Sequence, residues 1–292
     1  IFEIIKTIYF YINLIFFSEL NLLKLKKVNK KIRYDYCTAS VKAYAERINK
    51  EENVRNKVDY IVQTQPIMRI KPDVFVSNRS TESYEKYGGF LPIYEKENAF
   101  DYWDRYDQIC IIDADIWIRP NAPNIFDELE NETEFAGVVE RTAPIMLWYQ
   151  QKLLNYTNMQ YRSLTDVDWK WNNFGGHFYN MGLMLMGRQF VQYLPVGSDG
   201  KRQSGKDFIQ RPEFKKFVDG MGAWKWSTDQ TLLNYWIKKE NMVQQELSWK
   251  WNALYTAIPD ENIKEAYFVH FFLKDKLPNG GENVEELMEK VN

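Results

Sequence analysis

The 292-residue chain sets 38 Lys and Arg against 40 Asp and Glu, for a net charge of −2, and is 45% hydrophobic and 16% aromatic. So even a balance leaves no global basic field to gather nucleic acid, and a nucleic-acid binder is disfavoured. Two cysteines, Cys37 and Cys110, cannot build a disulfide framework, and with only His177 and His270 beside them a Cys/His zinc site is disfavoured too. Any metal would be held mainly by oxygen, which selects Mg²⁺ or Mn²⁺.

Residues 1–17 are apolar and aromatic but are broken by Glu3, Lys6 and Asn13. They also fall short of the about 20 apolar residues that a spanning helix needs. A basic run follows: Lys24, Lys26, Lys27, Lys30, Lys31 and Arg33. Its place after the apolar stretch speaks against a secretory signal. Residues 1–33 are expected to form an appendage, a helix or strand packed on the domain. The alternative is a membrane-associated segment whose basic flank keeps the next domain cytoplasmic, at the membrane surface. Residues 34–292 are expected to be one domain, since no repeat or linker forces a split.

Val41, Tyr44, Ala45 and Ile48 recur at helical spacing and predict a helix over residues 38–49, with Thr38 or Ser40 as its cap. Short strands are expected at residues 60–62 and 90–94, and a helix at 98–106. The run Ile109-Cys110-Ile111-Ile112 has the continuous, β-branched character of a buried parallel strand, with Cys110 a small core residue. Further strands are expected at residues 135–139, 178–186 and 266–272. The aromatic stretch 146–171 reads as helix and loop, and residues 195–211 as a mobile loop. Ser227 and Gln230 stand at capping-box spacing for a helix that runs to Lys239. Strands alternating with helices make an α/β domain with a mixed, mostly parallel central sheet flanked by helices.

The apolar run at residues 109–112 ends on Asp113-Ala114-Asp115. Side chains at i and i+2 of an extended chain share a side, so both carboxylates are expected to converge on one ion. Ligands of open α/β sheets settle at the carboxyl ends of strands, where this pair falls. The plain alternatives are easily stated. The two acids would cap a turn, and Asn180 would be a core amide satisfied by backbone. Asp229 would be an acid favoured at a helix start, and His270, among Phe268, Phe271 and Phe272, a buried histidine. Gly175 and Gly176 would let a ligand approach or simply turn the chain. The aromatics would present flat faces to a sugar or fill the core.

Taken together, four segments resemble the GT-A fold glycosyltransferases, especially the glycogenin-like glycosyltransferase family 8. Residues 106–115, Tyr-Asp-Gln-Ile-Cys-Ile-Ile-Asp-Ala-Asp, look like the metal-binding segment. Phe178-Tyr179-Asn180-Met181-Gly182 resembles the family's F-N-x-G strand, whose Asn and Gly border the donor sugar. Asp229-Gln230-Thr231-Leu232-Leu233-Asn234 is similar to the D-Q-x-x-L-N helix start, and Val269-His270-Phe271 to the late H-F strand. The resemblance covers about residues 38–275.

The resemblance implies a metal-dependent transfer of a sugar from a nucleoside-diphosphate donor, a UDP-sugar, to a glycan or other hydroxyl acceptor, with retention. Asp113, Asp115 and His270 would hold Mn²⁺ or Mg²⁺. Lys96, Ala114, Gly182 and Lys274 or Lys276 would join the donor site, with Asp229 and Asn180 beside the transferred sugar. The family's first strand would be residues 7–15 here, or lost. A haloacid-dehalogenase-type phosphatase also carries Asp-x-Asp after a strand, with the first Asp as nucleophile, but near its N-terminus. A relative that only binds glycan or scaffolds a partner is the third reading.

Overall fold

The computed structural model of the chain describes residues 11–18, 35–51, 56–63, 92–194, 196, 198, 200, 229–273, 276–280 and 283–292. The apolar run expected at residues 109–112 is strand β3 (Gln108–Asp113), with Ile109, Cys110, Ile111 and Ile112 fully buried. It lies inside a six-stranded sheet in which β1 (Tyr11–Ser18) sits between β2 (Asn56–Gln63) and β3, parallel to both. On its other side β3 pairs antiparallel with β6 (Tyr179–Gly187), which pairs antiparallel with β5 (Phe135–Val139). The short β7 (Gln244–Glu246) closes the order, parallel to β5. Among the described residues, only β6 of this sheet runs against its neighbours. The architecture is therefore mixed, mostly parallel α/β, as the sequence pattern predicts.

That single reversal positions the site. Because β6 is reversed, its first residues lie at the same sheet edge as the last residues of β3 and β5. A second sheet stands just beyond that edge, with β4 (Ile116–Ile118) antiparallel to β9 (Phe268–His270), and β8 (Ala253–Leu254) parallel to β9. The chain passes from the large sheet to the small one through Asp113-Ala114-Asp115.

Helix α1 (Asp35–Ile48) begins three residues earlier than predicted and buries Val41, Tyr44, Ala45 and Ile48. Neither predicted cap is at its start. Ser40 sits one turn inside, donates to the Cys37 carbonyl (2.7 Å) and accepts the Ile118 amide of β4 (2.9 Å). The Tyr44 hydroxyl links the same helix to the loop after β4, donating to Pro123 O (2.7 Å) and accepting from Ile125 N (2.8 Å).

Residues 92–94 are not a strand. They open a 3₁₀ segment, Pro92–Tyr102, and it takes in the described part of the strand expected at 90–94 and the first half of the helix expected at 98–106, which ends in a turn at residues 103–105. Proline has no amide to give a sheet and is tolerated at a helical start. The predicted first strand is present as β1, shifted a few residues along from 7–15. The basic run, most of the 195–211 loop and Ser227 lie outside the described residues. Among the described residues, no helix is long and apolar enough to cross a membrane.

Helix α2 (Leu147–Tyr161) forms in the aromatic stretch, and helix α3 (Asp229–Lys239) follows the expected course to Lys239. The aromatics mostly fill the core: Trp103, Phe190 and Trp236 pack together, as do Tyr161, Trp169 and Phe178. Tyr44 is 3% exposed, so Tyr44→Phe strands the buried Ile125 amide and takes the hydroxyl donor from the Pro123 carbonyl. We expect a loss of about 2 kcal/mol in urea unfolding, with the native near-UV spectrum kept.

Candidate active site

Asp113 ends β3 and Asp115 precedes β4, and Ala114 and Asp115 form a turn between the two. The carboxylates therefore converge through this turn between sheets, not through alternation along one extended strand as the sequence pattern suggests. Ala114 is 5% exposed and lies between them. Pairing of β4 with β9 sets Ile116 opposite His270, and the Phe271 amide donates to Asp115 O (2.8 Å). Asp113, Asp115 and His270 each offer a ligating atom within 4.8 Å of the others. His270 Nε2 lies 3.2 Å from Asp115 Oδ1 and 3.9 Å from Asp113 Oδ2.

A cavity of about 550 Å³ opens over this group, lined also by Lys96, Asn180, Met181, Gly182, Asp229, Gln230, Phe272 and Leu273. Lys96 comes from the 3₁₀ segment and is 5% exposed. Its ammonium meets Asp113 Oδ1 at 2.8 Å, Asp229 Oδ2 at 2.6 Å and the Met181 carbonyl at 2.8 Å. Burial works against this charge, but the two carboxylates more than offset it and push the Lys96 pKa up. For Asp229 the balance goes the other way: burial raises its pKa and Lys96 offsets only part of the rise. Burial would also raise Asp115, yet His270 beside it draws its pKa below the usual carboxylate range. His270 is raised in return, because the aspartates outweigh its burial.

Behind the histidine stands a row of buried polar side chains. His270 Nδ1 is 3.0 Å from Asn252 Oδ1, and Asn252 Nδ2 donates to Asn180 Oδ1 (2.9 Å). Asn180 Oδ1 also accepts the Gly182 amide (2.9 Å), and its Nδ2 donates to Glu140 Oε1 (2.6 Å). Glu140 follows β5 directly and accepts further from the Tyr149 hydroxyl (2.6 Å) and Gln230 Nε2 (3.2 Å). Asn234 fastens α3 to β6, accepting the Tyr179 amide and donating to the Tyr179 carbonyl.

Gly182 is required here by space. A Cβ at this position would lie 2.4 Å from His270 Cε1 and 2.9 Å from Asn180 Oδ1. Gly175 and Gly176 do not reach the cavity; they pack on Thr157 and Trp169, and Gly175 turns the chain at φ +105°. Lys276 is exposed and lines a separate hollow with Met146, Tyr255 and Asp260, so it does not join the acidic group. Lys274 lies outside the described residues. Glu140 and Asn252 were missed by sequence reasoning. A signal existed for Glu140, an acid directly after an apolar strand, as at Asp113. Asn252 in Trp249-Lys250-Trp251-Asn252 carries none.

The donor set fits a divalent ion. Three carboxylates, Asp113, Asp115 and Asp229, face one ammonium, which leaves two negative charges when His270 is neutral. One imidazole nitrogen and two carboxylates suit Mn²⁺ or Mg²⁺ in the presence of further oxygen ligands.

No family model matches the sequence, and no curated protein matches it. Among solved structures the chain is similar to several glycosyltransferases. It is 11% identical to the bifunctional glycosyltransferase WbbM, over 90% of this chain but only 46% of that one, with a TM-score of 0.45. The galactosyltransferase LgtC, solved with donor and acceptor sugar analogues, is 12% identical over 96% and 94% of the two chains (TM-score 0.48). A glycosyltransferase that acts in glycosylation of the major capsid of PBCV-1 is 13% identical over 96% and 99% (TM-score 0.48).

The buried ion pairs make a prediction that needs no ligand. Lys96→Met leaves Asp229, 5% exposed, without its cation. Urea unfolding at neutral pH is expected to show a loss of about 3 kcal/mol. Adding Asp229→Asn in the same chain should recover about 1 kcal/mol or more of it. Strictly additive effects would mean that the pair is not coupled.

Proposed function

We propose that the chain is a metal-dependent glycosyltransferase of the GT-A type, moving a sugar from a nucleoside-diphosphate donor to a glycan or other hydroxyl acceptor. The carrying observation is the convergence of Asp113, Asp115 and His270 on one cavity, from a strand of each sheet and the turn between them. Such a group, net negative beside a buried lysine, suits a bound cation and the diphosphate that cation would attract. The resemblance to family 8 adds a UDP-sugar as donor and retention at the anomeric carbon.

Asp113, Asp115 and His270 would hold Mn²⁺ or Mg²⁺, which when bound supplies positive charge to a departing diphosphate. The chain's own groups do the rest. Lys96 fixes Asp113 and Asp229 in place, so neither carboxylate must reorganise as charge moves. Asp229 sets a negative charge on the cavity wall, where it would favour positive charge growing on the sugar. Asn180 keeps one amide proton beyond its bond to Glu140, available to a sugar hydroxyl. Phe272 and Leu273 give the cavity an apolar side. No covalent nucleophile is assigned.

A thermal-shift screen of UDP-, GDP- and dTDP-sugars with and without Mn²⁺ tests the reading first, because a ligand stabilises the fold that binds it. We expect a UDP-sugar to raise Tm only when Mn²⁺ is present. Asp115→Ala should then lower Mn²⁺-dependent donor hydrolysis by about 10²-fold or more, with the circular dichroism unchanged. Full activity in that variant, or stabilisation by nucleotide sugars without any metal, would remove the site from the reaction.

A further inference from the structure

The polar row behind His270 has a direction. Glu140 is only an acceptor in its three bonds, from Tyr149, Asn180 and Gln230. Asn180 must therefore turn its Nδ2 to Glu140, and the Gly182 amide, a pure donor, independently holds Asn180 Oδ1 on the other side. With that oxygen fixed, Asn252 must turn Nδ2 to Asn180 and so present Oδ1 to the imidazole. A carbonyl oxygen cannot donate. The imidazole nitrogen facing it is therefore the one this row asks to carry the proton, against the competing acceptor Asp115 Oδ1, 3.2 Å from Nε2, and in a neutral ring so held the other nitrogen carries none. All four side chains are at most 4% exposed, so water is poorly placed to substitute for any link.

We propose that Glu140, Asn180 and Asn252 act as a positioning relay that fixes His270 as its Nδ1–H tautomer, leaving the Nε2 lone pair aimed between Asp113 and Asp115. The consequence for a cation rests on the metal reading above; the tautomer itself does not. Asn252 and Glu140 are thereby positioning residues, which act on the ion site through the imidazole without touching it. Gly182 belongs to the same device, since its amide orients Asn180 and its missing side chain makes room for the ring. An outer hydrogen bond of this kind typically changes metal affinity by about 10–100-fold when it is lost.

The test labels histidine with ¹⁵N, which gives only two residues to assign, His177 and His270. In metal-free protein, at an alkaline pH where the titration shows His270 to be neutral, Nδ1 is expected to be the protonated nitrogen. An Nε2–H ring there overturns the relay. Asn252→Leu should lose the tautomer preference and weaken Mn²⁺ binding, read by electron paramagnetic resonance of the free ion, by about 10–100-fold. Asn252→Asp keeps an acceptor against Nδ1 and, at a pH high enough for the His270 ring of this variant to be neutral, should keep the tautomer, which a merely space-filling role would not distinguish from Leu. Unchanged Mn²⁺ affinity and tautomer in a folded Asn252→Leu protein also overturn the proposal. If the unsubstituted chain holds Nδ1–H but binds no Mn²⁺, the relay stands and the metal reading fails.

Discussion

Lys96 holds a full positive charge where almost no water reaches it, and the site is organised around that constraint. A buried ammonium is costly unless its charge and its donors are both answered. Here Asp113, Asp229 and the Met181 carbonyl answer them, and each comes from a different element. The 3₁₀ segment, the end of β3, the start of β6 and the start of α3 are thus tied to one nitrogen. None of these elements can shift without stranding a charge. That interdependence keeps Asp113 and Asp229 close together in spite of their mutual repulsion, while His270 faces the third carboxylate, Asp115.

The topology supplies the rest of the convergence. One reversed strand, β6, brings the amide end of its own chain to the carboxyl ends of β3 and β5. Asp113, Glu140 and Asn180 are neighbours for that reason, although 27 and 40 residues of chain separate them. The small sheet adds His270 and, through the turn before β8, Asn252. Two sheets meeting at one corner let an acidic surface and a polar backing be built from different parts of the sequence.

Much of this was legible before the structure. A β-branched run ending on two acids announces a central strand with charges at its end, and β3 is that strand. The helical spacing of Val41, Tyr44, Ala45 and Ile48 announces α1. What failed had local causes. The convergence of Asp113 and Asp115 depends on a turn between two sheets, which a period-two pattern cannot express. Ser40 looks like a cap but back-bonds to Cys37 and receives an amide from β4, a tertiary use that propensity does not reveal. Lys276 is near His270 in sequence yet faces another hollow. Asn252 matters only through partners 18 and 72 residues away, so no local pattern could mark it.

The chemistry of the backing residues follows from the crowd of charge in front of them. A carboxylate directly behind His270 would also accept its Nδ1 proton, and would do so more strongly. It would add a fourth negative charge beside Asp113, Asp115 and Asp229 and favour the imidazolium, which has no lone pair for a cation. An amide orients the ring without that effect. But an amide can turn end for end, and needs a neighbour to hold it. Asn180 holds Asn252, and the Gly182 amide and Glu140 hold Asn180. The charge that finally fixes the direction is thus set three side chains behind the ring, where it orients the row while weighing less on the protonation of His270.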